Sequence, residues 1–156
     1  MKHNLVILAV LFLAFPAGAE AGDMEDIVAA IEKRWTDTAK KQINPGDSNP
    51  AGSWLATSQG GLWQFQSPAE AVAMITDSPN TLAFQPMHIN VQIMGSKKDV
   101  AYATYYLVGN IMIEGKPLVS NYRTRASTVY VKIGGKWLTS GEHYSPLYGG
   151  SGVVFD

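Results

Sequence analysis

The most constraining feature of the sequence is a pair of long β-rich segments joined by a short turn. Residues 100–113 and 118–133 are rich in β-branched and aromatic side chains, and Glu114-Gly115 lies in the turn between them. A third segment, 136–144, follows Gly134-Gly135, a dipeptide that favours a two-residue hairpin loop. Strands usually have about five or six residues, so strands this long fit one small domain only if the sheet bends strongly.

Two helical patterns precede these strands. In residues 23–41, apolar side chains recur every three or four positions from Ile27 onward, which predicts a helix with one apolar face. Residues 68–76 follow a capping box, with Ser67 as the N-cap and Glu70 three positions later. These patterns predict a long first helix and a short second one.

The remaining segments complete the predicted fold. Residues 53–57 allow one further helical turn, 62–65 favour a short strand, and 87–93 alternate apolar with polar side chains as a half-buried strand does. Gly109 and Gly141 are candidate bend points in the long strands. The expected class is α+β, with a strongly bent, cone-like antiparallel sheet wrapped around about three N-terminal helices.

The first residues have the pattern of a secretory signal peptide. A basic start precedes the apolar run 5–15, and small residues lead to a cleavage site after Ala21 or, alternatively, after Ala19. The run is shorter than the roughly 20 apolar residues that a membrane-spanning helix needs. We expect cleavage after Ala21, a periplasmic or secreted location, one domain over residues 22–146 and a glycine-rich C-terminal tail over 147–156.

Composition excludes several classes of function. The chain has no cysteine, so disulfides, thiolate metal sites and a cysteine nucleophile are ruled out. A net charge of −1 without a basic cluster argues against nucleic-acid binding. After cleavage only His88 and His143 remain as histidines, and no further apolar stretch can span a membrane, so we expect no metal, no cofactor and no membrane association of the mature protein.

The C-terminal half resembles a known family. The residues Arg125-x-Ser127-x-Val129, Gly134-Gly135-Lys136-Trp137 and Glu142-His143-Tyr144-Ser145-Pro146 are similar to the C-terminal signature of SnoaL-like, nuclear-transport-factor-two-like domains. The resemblance covers about residues 24–146, including the order of helices and strands. It departs from the family pattern at Gly141, where that pattern has the first of two histidines, and the tyrosine and two aspartates of the isomerase members cannot be placed.

The resemblance implies a cone-shaped sheet around helices and a homodimer formed through the sheet. Family members include ketosteroid isomerases, dehydratases, polyketide cyclases, epoxide hydrolases and non-catalytic association domains. The missing histidine disfavours chemistry that needs a histidine pair, and the isomerase activity is disfavoured as well. The resemblance therefore specifies a fold more strongly than an activity.

Pairing the strands through two-residue loops predicts which side chains share a face of the sheet. Arg125 then lies opposite Tyr144 and Thr104, and Arg123 lies opposite Tyr106. One face would carry Tyr106, Arg123, Arg125, Glu142 and Tyr144. The other would carry Tyr105, Tyr122, Tyr130, Trp137 and His143. Since side chains alternate along a strand, a slip of one residue exchanges the faces.

Arg125 is the main candidate for ligand binding. Its guanidinium could hold an anionic or carbonyl-bearing ligand at the mouth of a pocket. The alternative is a cross-strand ion pair with Glu142, which would contribute less than about 1 kcal/mol if exposed. The other residues assigned to ligand binding are Arg123, Tyr106, Trp35 and His143, although core or dimer-face packing also explains the aromatic ones.

Three residues are candidates for proton transfer. His143 has the chemistry of a general base, but a structural role at the end of the last strand is favoured because no partner acid is evident. Asp47 could act beneath the first helix, but an aspartate after Pro-Gly is common in turns. Glu142 is the third candidate. Three hypotheses follow: small-molecule binding in the cavity of a homodimer, a cofactor-free lyase, isomerase or hydrolase, and an association module whose cavity is filled by its own side chains.

Overall fold

The computed structural model describes the backbone of residues 17–147 and the side chains of residues 22–147. Helix α1 (Ala17–Lys40) starts earlier than the predicted Asp23, and helix α2 (Pro68–Thr76) has the predicted bounds. The strands are β1 (Ser53–Ala56), β2 (Gln64–Gln66), β3 (Asn80–Met94), β4 (Val100–Ile113), β5 (Lys116–Ile133) and β6 (Lys136–Pro146). The apolar run of the signal sequence and tail residues 148–156 lie outside the described residues.

The six strands form one mixed sheet in the order β2-β1-β6-β5-β4-β3. Adjacent strands are antiparallel except β1 and β6, which are parallel. The prediction of a purely antiparallel sheet was therefore wrong at β1. The described residues hold two α-helices and not three, because Ser53–Ala56 pairs with the edge of β6 as a strand. The α+β class and the bent sheet around α1 are confirmed.

The core lies between α1 and the inner face of the sheet. Ile27, Ile31 and Trp35 of the helix pack against β4 and β5. Ala101 and Ala103 of β4 are fully buried in the same cluster, and β3 is the strand that lies closest to the helix. Burying each large apolar side chain of this kind contributes about 1.5–3 kcal/mol.

The start of helix α2 follows from the local sequence. The Ser67 hydroxyl accepts a hydrogen bond from the Glu70 backbone N–H, and the Glu70 carboxylate accepts one from the Ser67 N–H at 2.8 Å. The capping box is therefore confirmed. Ala71 and Ile75 are buried and hold the helix against the rest of the domain.

Irregular positions in the long strands bend the sheet. In β3 the register shifts after Met87, and His88 adopts a left-handed φ of 53°. Met87 consequently points away from the core and is 43% exposed, whereas Ile89 packs against the core. The prediction that 87–93 alternate without interruption was wrong, because a bulge at His88 resets the alternation.

A second bulge, in β6, decides the composition of the site. Tyr130 pairs with Thr139, as predicted, but Val129 pairs with Gly141, so Ser140 is left without a partner. From that point Glu142 and Tyr144 face the helices and His143 faces outward, the reverse of the predicted arrangement. The β4–β5 register shifts by two residues in total, so Tyr106 pairs with Arg125 and not with Arg123, and the faces there are as predicted.

Candidate functional site

A cavity of about 240 Å³ lies between the inner face of the sheet and the helices. We call it the inner cavity. This volume suits a small organic molecule, since an apolar cavity of about 150 Å³ can bind benzene. Its walls are mainly apolar, with Met74 and Ile75 of α2 closing one side and residues 57–59 bordering another. The apolar lining includes Trp35, Leu55, Leu82, Phe84, Leu107 and Ile111.

Glu142 is the carboxylate of this cavity. Its side chain is only 5% exposed. The Tyr144 hydroxyl donates a hydrogen bond to Glu142 Oε1 at 2.7 Å, and Arg34 Nη2 lies 3.8 Å from Oε2. A carboxylate is buried at low cost only when charge or hydrogen bonds compensate it, and these two groups do so. The bulge at Ser140 is what turns Glu142 and Tyr144 inward.

Three phenols surround the carboxylate: Tyr105 and Tyr130 are buried, and Tyr144 is partly buried. Burial, followed by the negative charge of Glu142, raises the pKa of Tyr105 and raises that of Tyr144 well above its ordinary value. Burial likewise raises the pKa of Tyr130 well above its ordinary value, with Tyr105 and Glu142 as further causes. The three phenols therefore remain hydrogen-bond donors over the physiological pH range.

Hydrogen bonds connect helix α1 to these phenols. Trp35 Nε1 donates to the Tyr105 hydroxyl at 3.4 Å, and that hydroxyl lies 3.1 Å from Thr128 Oγ1. The Trp35 ring also meets Phe84 and Tyr144 edge to face. Trp35 is thus both a core residue and a wall of the cavity, so both interpretations of this residue apply.

The other predicted ligand-binding residues lie on the outer face of the sheet. Arg125, Tyr106 and His143 border an open groove of about 490 Å³ there, and Arg123 is exposed on the same face. His143 packs against Trp63 with ring centroids 5.8 Å apart. The sheet separates Arg125 from Glu142, so the proposed ion pair between them does not form.

Asp47 lies neither in the inner cavity nor on the outer face of the sheet. It ends the 3₁₀ turn Pro45–Asp47 and forms ion pairs with Lys33 at 3.3 Å and Lys136 at 2.9 Å. Partial burial opposes ionisation of Asp47, but the two lysines outweigh it and lower the pKa of Asp47. It lines a groove outside helix α1, so the structure does not bring Asp47 together with Glu142.

Arg34 is the site residue that sequence reasoning missed. It lines the inner cavity and faces Glu142, although it was not among the candidate residues. A signal was present, because Ile27, Ile31, Arg34 and Thr38 are spaced by four, three and four residues. That spacing places Arg34 on the apolar stripe of the helix.

The described residues contain no group of three or more histidine, cysteine, aspartate or glutamate side chains that could hold a metal ion. In the same part of the chain, no helix is both long and apolar enough to cross a membrane.

Among the comparisons with known proteins, only the comparison with solved structures finds similar proteins. No protein-family model and no curated protein matches the sequence. An NTF2-like protein of unknown function from Pseudomonas putida KT2440 matches with a TM-score of 0.63 and 16% identity, over 82% of this chain and 89% of that chain. A ketosteroid isomerase-like protein from Erwinia carotovora matches with a TM-score of 0.64 and 14% identity, over 81% and 97%.

The association domain of CaMKII from C. elegans is also similar, with a TM-score of 0.59 and 16% identity over 81% of this chain and 98% of that chain. All three likenesses lie far below the identity at which activity is shared, and they span proteins with different roles. They establish architecture. The chain therefore has the NTF2-like fold that its resemblance to SnoaL-like domains implied.

Proposed function

We propose that the protein binds a small, mostly apolar organic molecule in the inner cavity and that Glu142 exchanges a proton with it. The protein would then be a cofactor-free acid/base enzyme, a lyase, isomerase or hydrolase. The observation that supports this most directly is the buried carboxylate of Glu142 beside an open, apolar cavity, with Tyr144 and Arg34 facing it.

The arrangement suits proton transfer for a physical reason. A general base must lie within hydrogen-bond reach of a bound molecule, and Glu142 lines the cavity that would hold it. The hydrogen bond from Tyr144 fixes the orientation of the carboxylate before any ligand binds. Apolar walls exclude water, which strengthens electrostatic interactions with a developing charge.

The same fold also occurs in an association domain, so fold alone does not choose between the hypotheses. An association module would have its cavity filled by its own side chains. Here about 240 Å³ remain open beside a carboxylate. The cavity therefore supports ligand binding, and binding without turnover is the second candidate.

The test is a screen of the mature protein, residues 22–156, with small uncharged aromatic and alicyclic compounds. Thermal shift detects binding, and NMR in deuterated water detects turnover or exchange of carbon-bound hydrogen. We expect Glu142→Gln to abolish exchange while ligands still stabilise the protein. Glu25→Gln, on the exposed side of α1, is the matched control. Binding without exchange in wild type would favour the second candidate.

We propose a homodimer formed through the outer face of the sheet. Met87, Tyr102 and Tyr106 are exposed there although they are large and apolar or aromatic. Aromatic residues, methionine and arginine are enriched at interfaces, and Arg125 lies beside Tyr106 on this face. The existence of an association domain with this fold is consistent with the proposal.

We also propose that the protein is exported, because residues 1–21 have the parts of a signal peptide. Expression of the full chain in a Gram-negative host, followed by fractionation, tests this. The expected product is periplasmic or secreted, and its mass corresponds to a chain beginning at Gly22. A cytoplasmic product that retains Met1 would contradict the proposal.

A further inference from the structure

Four of the hydroxyl groups that line the inner cavity already donate their hydrogen bonds to the protein. Tyr144 donates to Glu142, and Tyr122 donates to Ser58 Oγ at 2.7 Å. Thr124 donates to the Ser145 carbonyl at 2.7 Å. Thr38, on α1, donates to the backbone carbonyl of Arg34 at 2.8 Å. None of these groups has a donor left for a ligand unless an existing bond breaks.

Arg34 differs from these groups. Its side chain is 18% exposed, and its ion-pair partner among the described residues is Glu142, whose Oε2 lies 3.8 Å from Nη2, too far for a hydrogen bond. The guanidinium makes no hydrogen bond to another described residue. Every fully enclosed polar side-chain atom in that part of the chain has a partner, so the guanidinium nitrogens border open space. Arg34 lines both the inner cavity and the groove outside α1, and it therefore has charged donors free for a ligand in the cavity.

The charges in the cavity restrict what can accept those hydrogen bonds. Arg34 and Glu142 form a buried pair with no net charge. An anionic ligand would place a second negative charge beside Glu142, and a cationic one would place a second positive charge beside Arg34. Either ligand would lose its hydration in an apolar cavity without full compensation. An uncharged ligand with an acceptor oxygen avoids both costs.

We propose that Arg34 determines specificity by donating hydrogen bonds to the oxygen of an uncharged carbonyl compound with an apolar body. This rests on the proposed function, since it names the ligand class of the same cavity. Carbonyl oxygens accept two hydrogen bonds, which suits the planar, multiple donors of a guanidinium. The role first assigned to Arg125 on chemical grounds thus belongs to Arg34.

The test uses four probes of nearly equal size and different polarity: acetophenone, ethylbenzene, benzoate and benzylammonium. Isothermal titration calorimetry on the mature protein measures each affinity. We expect acetophenone to bind about tenfold more tightly than ethylbenzene, as a charge-assisted hydrogen bond would produce. We expect benzoate and benzylammonium to bind more weakly than either neutral probe.

Variants assign the preference to residues. Arg34→Lys keeps the charge but loses the fork, and it should reduce the preference for acetophenone. Arg34→Met/Glu142→Gln removes both charges together, so it avoids leaving one buried charge without a partner. It should abolish the preference while ethylbenzene still binds. Glu142→Gln alone should strengthen benzoate binding, and Arg123→Met, on the outer face, should change nothing.

The outcomes separate this inference from the proposed function. Equal affinities for acetophenone and ethylbenzene, tighter binding of benzoate to wild type, or a preference that survives in the double variant would each overturn the role of Arg34. If the wild-type protein showed no hydrogen exchange but still preferred acetophenone to ethylbenzene, acid/base catalysis alone would be overturned. Failure of all four probes to bind would overturn both.

Discussion

At the scale of single residues, the phenols of Tyr105, Tyr130 and Tyr144 predict how the protein responds to alkali. Their pKa values are raised chiefly by burial, so the folded protein keeps protons that the unfolded chain releases. The resulting stabilisation is fully present below pH about 10 and is lost as pH rises through the raised values. Phenolate absorbance during an alkaline titration should show a late phase that coincides with unfolding.

The negative charge of Glu142 is the second cause of the raised pKa values of Tyr105 and Tyr144. A variant without this charge therefore tests the explanation. Glu142→Gln should move the late phase to lower pH without restoring ordinary titration, because burial remains. Glu25→Gln should leave the phase unchanged. A late phase that is identical in wild type and Glu142→Gln would show that the carboxylate and the phenols are not close.

Gly109 and Gly141 were both candidate bend points, but their surroundings predict different responses to alanine. A Cβ on Gly109 would lie 2.0 Å from the Ala83 carbonyl oxygen of the neighbouring strand, so Gly109→Ala must push the two strands apart. A Cβ on Gly141 would lie 3.7 Å from the Trp54 carbonyl oxygen, an ordinary contact. We expect Gly109→Ala to lower the free energy of unfolding by about 3 kcal/mol.

Gly141→Ala should change that free energy by no more than about 0.5 kcal/mol. Urea unfolding of both variants, followed by circular dichroism, measures the difference. Comparable stability of the two proteins would mean that β3 and β4 do not approach as closely at Gly109 as the structure shows.

The sequence predicted the types of chemical group in the site, a carboxylate and an arginine, but not the full set of residues that form it. It selected Glu142 for proton transfer and assigned an arginine to hold a ligand, yet it placed His143 on the same face as Tyr105 and Glu142 on the opposite face. Alternation along β6 is a valid rule until a residue is inserted; Gly141 marked a bend point there, but the sequence did not show that the neighbouring Ser140 is an inserted residue. A single bulge was enough to exchange the faces.

At the scale of elements, secondary structure that is determined within one segment was predicted better than secondary structure that depends on pairing with another strand. The start of α2 followed from its capping box, which is a local interaction. Residues 53–57 favoured a helical turn when considered alone, whereas the structure pairs them with β6 as a strand. A strand of four residues gains its stability from its neighbours, here β2 and β6, so its own sequence holds little signal.

The first turns of the mature helix are tied to the sheet through Asp23. Its carboxylate accepts hydrogen bonds from Lys132 Nζ and from Trp137 Nε1, the latter at 3.2 Å. Asp23→Ala removes both, and we expect it to lower the free energy of unfolding at neutral pH by about 1.5 kcal/mol. The hydrogen bond from Lys132 lowers the pKa of Asp23, so this contribution is present above pH about 4 and disappears as pH falls below it.

Asp26→Ala is the matched control, because Asp26 lies one turn later on the exposed side of the helix. Thermal unfolding of both variants at neutral and acid pH measures the difference. If Asp23→Ala and Asp26→Ala were equally stable at neutral pH, the tie between the helix and the sheet would contribute nothing.

At the scale of the whole molecule, the two faces of the sheet have different roles. The inner face, with α1, buries the core and encloses the cavity. The outer face leaves Tyr106 41% exposed in the middle of a broad surface that also carries Arg125. Placing a charge in the centre of an interface excludes association, whereas the same charge elsewhere on the surface does not.

Tyr106→Glu should therefore make the mature protein monomeric, if the outer face forms the dimer. Met24→Glu is a fair control, because Met24 is 37% exposed but lies on helix α1. Size-exclusion chromatography with light scattering should give twice the chain mass for wild type and Met24→Glu, and the chain mass for Tyr106→Glu. Because the inner cavity lies on the other side of the sheet, the monomeric variant should still bind cavity ligands. A wild-type monomer at every concentration, or a dimer that survives Tyr106→Glu, would exclude the outer face as the interface.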